Sequence, residues 1–249
     1  MIVLVIVLLA VGGYCGWRYY NDVFLPNKQI KDADRSQREY FGEIKPDDVD
    51  TPDASEADGA SERFAALTAE NDEAVGWLTI DGTVIDYPVA QAADNYFYLD
   101  HGFDKQYNWG LGCPFLDYRC KSDFTGFNSL VYAHHISGYP AMFSEITYYK
   151  DSGFMAEHPT GVLLTKTGVH RVRFFAYMII PNPSFAYVTE LKTKSEKEKY
   201  IDDIFENAEY TSVYSAYELK KKNDLHLLLL STCTYEYWQA RGVLAGVIE

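Results

Sequence analysis

The sequence predicts a mostly-β protein, a barrel or a sandwich, with helices at its periphery. Short runs rich in β-branched and aromatic residues recur at near-regular spacing, separated by turn residues. Among them are Gly76-Trp-Leu-Thr-Ile, Val84-Ile-Asp-Tyr-Pro-Val, Leu130-Val-Tyr-Ala and Gly161-Val-Leu-Leu-Thr. Asp81-Gly82 stands between two such runs, and that dipeptide favours a hairpin turn. Aromatic residues make up 16% of the 249 positions, and the 21 Tyr among them suit half-buried strands, where the ring packs and the hydroxyl stays wet.

Taken in order, the chain divides into three. Met1 to Trp17 carries no charge, and Arg18 ends the apolar run. About 17 residues is the short end of a membrane-spanning helix. Residues 1–20 are therefore expected to be an uncleaved signal anchor, with a cleaved signal as the alternative. No basic residue precedes the run and Arg18 follows it, so the positive-inside rule gives the orientation no support. Residues 21–60 are polar and acidic, with Pro46 and Pro52 among many carboxylates, and are expected to be a flexible linker. Residues 61–249 are expected to form the folded domain. Ser61 is a candidate N-cap for a helix that opens it. Further strands are expected at Val169 to Ile179, Asp224 to Leu230 and Arg241 to Ile248. One helix interrupts them: Lys194 to Ala208 has Tyr200, Ile201, Ile204, Phe205 and Ala208 at helical spacing, with charge on the other face.

Composition excludes some functions. The net charge is −14 and no basic stripe is visible, which argues against nucleic acid as a partner. Four cysteines occur, Cys15, Cys113, Cys120 and Cys233. If the run from Cys113 to Cys120 is extended, its ends lie roughly 20 Å apart, too far for a disulfide. Cys-x-x-Cys and Cys/His ligand spacings are absent, so no metal is expected, and nothing calls for another cofactor.

The chemistry-bearing candidate is Cys233. It follows the apolar run Leu225 to Leu230, which reads as a buried strand, so the thiol falls at a strand end where a rigid element can aim it. A free Cys is also, commonly, a small buried hydrophobe. Its neighbours Ser231, Thr232 and Thr234 are polar, and Arg241 lies eight residues on, where a strand–loop–strand unit would return it beside the thiol. A reactive thiol needs a base or a cation nearby. Of the six histidines, His134 and His135 close the strand Ser129 to Ala133, again at a strand end.

These residues resemble the sortase family of cysteine transpeptidases. Val131-Tyr-Ala-His134-His-Ile-Ser-Gly is similar to the sortase histidine motif, Leu-Ser231-Thr-Cys233 to its cysteine motif, and Ala240-Arg241-Gly-Val-Leu-Ala to its arginine strand. Asn95-Tyr-Phe-Tyr-Leu99, Gly112 to Arg119 and the helix before the Cys233 strand resemble class B members. One position departs: Ala133 stands where the family usually has Gly before the histidine.

The resemblance implies a sortase-like β-barrel outside the cell. It implies Cys233 as nucleophile, His134 as general acid and base, and Arg241 as donor to the oxyanion or holder of the substrate backbone, while His135 is only a neighbour. It further implies that Asn95, Leu99, Tyr132, Tyr187, Ser231 and Thr232 line the substrate groove, though each is also an ordinary packing residue. The substrate would be a secreted protein bearing a C-terminal sorting signal, Asn-Pro-x-Thr-like or Leu-Pro-x-Thr-like, cleaved after Thr. The acyl acceptor would be a peptidoglycan cross-bridge amine or a pilin lysine. A cysteine hydrolase that releases the peptide to water and a noncatalytic adhesion module are the competing readings.

Overall fold

In a computed structural model of the chain, residues 2–46 and 57–249 are described, with the side chains of residues 2–7 and 57–61 excepted. Helix α1 (Ile2–Tyr19) runs through a π-helical turn at Tyr20–Phe24 into helix α2 (Leu25–Ile44). Helix α3 (Ala57–Glu70) leads into the strands β1 (Ala74–Thr79), β2 (Asp86–Ala90), β3 (Phe115–Leu116), β4 (Asn128–Tyr132) and β5 (Thr160–Thr165), with the short helix α4 (Ser152–Glu157) before β5. The long strand β6 (Gly168–Pro181) follows, then helix α5 (Lys194–Asn207), β7 (Ala208–Thr211), helix α6 (Ala216–Lys221), β8 (Leu227–Cys233) and β9 (Ala240–Ile248).

Eight strands close into a barrel in the order β5-β1-β2-β3-β4-β8-β9-β6, sealed by β5–β6 pairing, while β7 adds to the far edge of β6. Closure removes the exposed edges of the sheet. The hairpin expected at Asp81-Gly82 forms, with Thr79 opposite Asp86 and Gly82 at φ +73°. Two neighbouring pairs are parallel, β2 with β3 and β4 with β8.

The barrel wall is buried on both faces around β8, which explains the leucine run. Side chains alternate along a strand. Leu228 and Leu230 enter the barrel interior with Trp77, Val131 and Leu244. Leu227 and Leu229 point outward with Leu130, Val243 and Ala245, under a layer formed by Tyr200, Ile201 and Ile204 of α5 and Leu219 of α6. Helix α5 is the expected amphipathic helix. A capping box between Thr193 and Glu196 starts it, and it ends at Asn207, so Ala208 opens β7.

Two sequence expectations change here. Helix α3 begins at Ala57, so Ser61 lies inside it and does not cap it. The expected linker over 21–60 is in large part structured, because Leu25–Ile44 is helical and Phe41, Gln37 and Asp34 are buried against the domain. The Phe41 ring packs edge-on to Trp77 and Tyr87, Arg38 donates to Tyr87 Oη at 2.6 Å, and Tyr139 Oη donates to Asp34 at 2.8 Å. The acidic run 47–56 lies outside the described residues. Among the described residues no helix is long and apolar enough to cross a membrane, and the side chains at the start of the expected anchor lie outside them.

Candidate active site

Alternation along the strands places the site on the outer face of the barrel wall, just past the cover given by α5. On β8, Ser231 and Cys233 continue the row of Leu227 and Leu229; on β9, Arg241 continues the row of Val243 and Ala245. Cys233 and Arg241 are direct partners across the antiparallel β8–β9 ladder. Tyr132 pairs with Ser231 across the parallel β4–β8 ladder, so the chain leaving β4 carries His134 alongside the end of β8.

Short hydrogen bonds fix that exit. Thr232 Oγ1 donates to Ala133 O at 2.8 Å, and His135 Nδ1 donates to Cys233 O at 2.9 Å. His134 Nε2 lies 2.7 Å from Leu99 O. A carbonyl only accepts, so Nε2 carries the proton of the neutral ring and Nδ1 is left as its acceptor.

A cavity of about 320 Å³ opens over these groups. Cys233, His134 and Arg241 line it, and all three are part-buried. Asn95, Leu99, Tyr132, Tyr187, Ser231 and Thr232 line it as well. Tyr187 shares a hydrogen bond with Ser231 Oγ at 3.1 Å, and its ring stacks on Tyr132 at 6.1 Å. Burial pushes the Tyr187 hydroxyl up to about 12, so it stays protonated as a hydrogen-bonding group. His135 does not line the cavity.

Four further lining residues were not singled out as site residues from sequence: Phe115, Arg119, Ala133 and Asn182. Arg119 had a readable signal: an Asp that opens a turn accepts from the backbone two residues on, as Asp117 Oδ1 does from Arg119 N at 3.0 Å, and that turn sets the guanidinium against the carboxylate. The loop between β8 and β9 carries further aromatic side chains, with the Tyr235 ring tilted against His135 at 5.1 Å and Trp238 88% exposed. The four cysteines are free thiols, and Cys113 is buried, with its pKa pushed well up by desolvation, unlike a reactive thiol. Among the described residues no group of three or more His, Cys, Asp or Glu is arranged to hold a metal ion.

Comparison with known proteins gives a consistent family. Sortase B of Listeria monocytogenes is 32% identical over 178 residues, covering 71% of this chain and 70% of that protein. Sortase B of Staphylococcus aureus is 27% identical over 185 residues, covering 70% of this chain and 69% of that protein. Among solved structures, a class B sortase of Streptococcus pyogenes described as involved in pilus biogenesis is 28% identical. It superimposes with a TM-score of 0.65 over 75% of this chain and 97% of that one. No family model matches the chain.

Proposed function

The chain belongs to the class B sortases, cysteine transpeptidases of the cell wall, and on that premise we propose that Cys233, His134 and Arg241 are its catalytic residues. The observation that supports the assignment is convergence: the His134 motif, distant in sequence, and the neighbouring Cys233 and Arg241 strands contribute one imidazole, one thiol and one guanidinium to a single cavity.

In the proposed reaction the Cys233 thiol gives its proton to His134 and its sulfur attacks the carbonyl of the sorting-signal threonine. The Sγ–C bond forms, and the oxyanion accepts hydrogen bonds from the Arg241 guanidinium, whose charge makes them strong. Collapse breaks the C–N bond, and the imidazolium of His134 protonates the leaving amine. The resulting thioester is attacked by an incoming amine; the C–Sγ bond breaks, and the amine's proton passes by way of His134 to the departing sulfur, restoring the thiol and the neutral imidazole. Arg241 keeps its proton throughout, since its pKa lies far above neutrality. Asn95, Leu99, Tyr132, Tyr187, Ser231 and Thr232 form the walls against which the peptide is held.

The substrates are secreted proteins with a C-terminal sorting signal, and the acceptor is a peptidoglycan cross-bridge amine. A pilin lysine is the second candidate acceptor, favoured by the likeness to the streptococcal pilus-biogenesis enzyme. The apolar run from Met1 to Trp17 holds the enzyme in the cell membrane with the barrel outside.

The test is to incubate the full chain, and its Cys233→Ala variant, with Asn-Pro-x-Thr and Leu-Pro-x-Thr peptides, with and without triglycine or a lysine-bearing pilin peptide, and to follow both by mass spectrometry. Cleavage after Thr, a thioester on Cys233 and a product carrying the amine are expected. Cleavage to the free acid alone, unchanged by added amine, would replace this reading with a hydrolase. No adduct on Cys233 with any peptide would sink it.

A further inference from the structure

Several side chains that line the cavity meet on one carboxylate that does not. Asp117, directly after β3, has a fully buried side chain. It accepts from Asn95 Nδ2 at 2.9 Å and from the Tyr132 hydroxyl at 2.9 Å. Arg119 grips it with two parallel bonds, Nε to Oδ1 at 2.8 Å and Nη2 to Oδ2 at 2.7 Å. The same Nη2 reaches Tyr187 O at 3.3 Å, tying in the segment that follows β6. One buried charge therefore sets the place of the loop before the Phe97–Leu99 turn, the exit of β3, the end of β4 and the Tyr187 wall.

The chemistry of each bond limits what its partner can offer a ligand. An ionised carboxylate only accepts, so the Tyr132 hydroxyl proton and one Asn95 amide proton are committed to Asp117. Asn95 Oδ1 accepts from Tyr118 N at 3.1 Å, which occupies one of its two lone pairs. Arg119 is different. Its side chain is 41% exposed, it lines the cavity, and its Nη1 makes no hydrogen bond among the described residues. The cavity thus presents a guanidinium whose charge is cancelled from below.

We propose that the Asp117–Arg119 pair determines specificity: Asp117 is a positioning residue for Asn95 and Tyr132, and Arg119 offers a charge-compensated donor to an uncharged carbonyl or amide of the bound peptide. The proposal rests on the reading that this cavity takes the sorting peptide. A compensated guanidinium still donates a hydrogen bond, but it attracts a carboxylate no more than a neutral group does. Removing the Asp117 charge while keeping its shape would expose the positive charge and redirect the preference.

The experiment compares the full chain with its Asp117→Asn, Arg119→Gln and doubly substituted forms. Each is assayed on sorting peptides that differ only in bearing a neutral or an acidic side chain at the variable position and its flanks. For Asp117→Asn, KM for the neutral peptide is expected to rise while kcat falls less. Its kcat/KM ratio of acidic to neutral peptide is expected to move about tenfold toward the acidic one, the scale of one unpaired charge near a protein surface. The double variant, neutral at both positions, is expected to return that ratio to the wild-type value. A merely structural role would lower activity on all peptides alike and leave the ratio unmoved, and that result overturns the proposal. Should Asp117→Asn fail to fold, Arg119→Gln decides alone: an unchanged KM and ratio overturn the proposal, and a raised KM for the neutral peptide supports it. Wild-type enzyme that cleaves none of the peptides overturns the sorting-signal reading and this proposal together, whereas wild-type cleavage with unaltered preference in the variants overturns only the proposal.

Discussion

Cys233 and Arg241 face each other across the β8–β9 ladder, so the thiol and the guanidinium leave adjacent backbones on one face of the sheet. The only hydrogen bond of the Arg241 side chain among the described residues is to the neighbouring Ala240 O at 3.0 Å. Arg241→Ala is therefore expected to lower kcat/KM by about 10²–10³, the range for losing one oxyanion donor. Little change in melting temperature is expected. Peptide-cleavage kinetics alongside a thermal melt would check this, and a large drop in melting temperature would count against a purely catalytic role.

The adjacent histidines are expected to separate. His134 lines the cavity, while His135 donates to the Cys233 carbonyl from outside it. His134→Ala should cost about 10²–10⁴ in kcat, as for loss of a general acid–base group. His135→Ala should cost less and should keep the shape of the pH–rate profile. Equal losses in the two variants would contradict the assignment.

Gly112 supports His134 at one remove. It sits at φ +70°, and a Cβ there would lie 2.6 Å from Tyr98 O and 2.9 Å from Leu99 O, the carbonyl that holds His134 Nε2. Gly112→Ala should displace that carbonyl and lower kcat along with stability. Gly110, at φ +78° with open space around it, is the control. Gly110→Ala should cost only the backbone term of about 1–2 kcal/mol, with kcat preserved.

Docking of α2 is expected to contribute to stability. Phe41 is 3% exposed between the Trp77 and Tyr87 rings. Phe41→Ala should cost about 3–5 kcal/mol, the range for emptying a buried aromatic site. A chain shortened to begin at Ser61 should melt lower than one that begins at Leu25. Equal urea midpoints for the two lengths would show that the helix contributes nothing.

Acid stability should reflect Asp117. Burial pushes its carboxyl up, but hydrogen bonds from Arg119, Tyr132 and Asn95 together outweigh this and leave it below the usual carboxylate range. A carboxyl lowered in the folded state stabilises above its unfolded pKa of about 3.9. That contribution is lost as the pH falls through the folded value. Urea midpoints measured downward from about pH 6 should therefore fall more steeply for the wild type than for Asp117→Asn.

The site was more legible than its supports. Each of the nine positions named from sequence lines one cavity, because the motifs sit at strand ends and strand pairing carries them together. Arg119 is harder to place, since β3 spans only Phe115–Leu116 and the turn that seats Arg119 on Asp117 lies beyond its alternation. Helix α2 reads as linker by composition because charged residues surround its inward stripe: Ile30, Ala33, Gln37, Phe41 and Ile44 recur at helical spacing, but Asp34 and Gln37 are buried through hydrogen bonds that composition does not reveal.

The continuity of α1 into α2 turns the N-terminal region from a leash into a mast. A flexible stalk of 40 residues, as expected for 21–60, would let the cavity sweep a wide volume and meet its substrates at an effective concentration set by chain statistics. A 20-residue helix such as Leu25–Ile44 is about 30 Å long and, docked through Phe41, does not swing. With the N-terminus held at a membrane, as proposed, the cavity mouth would stand at a set height and heading above it, and peptide and acceptor would have to arrive at that height.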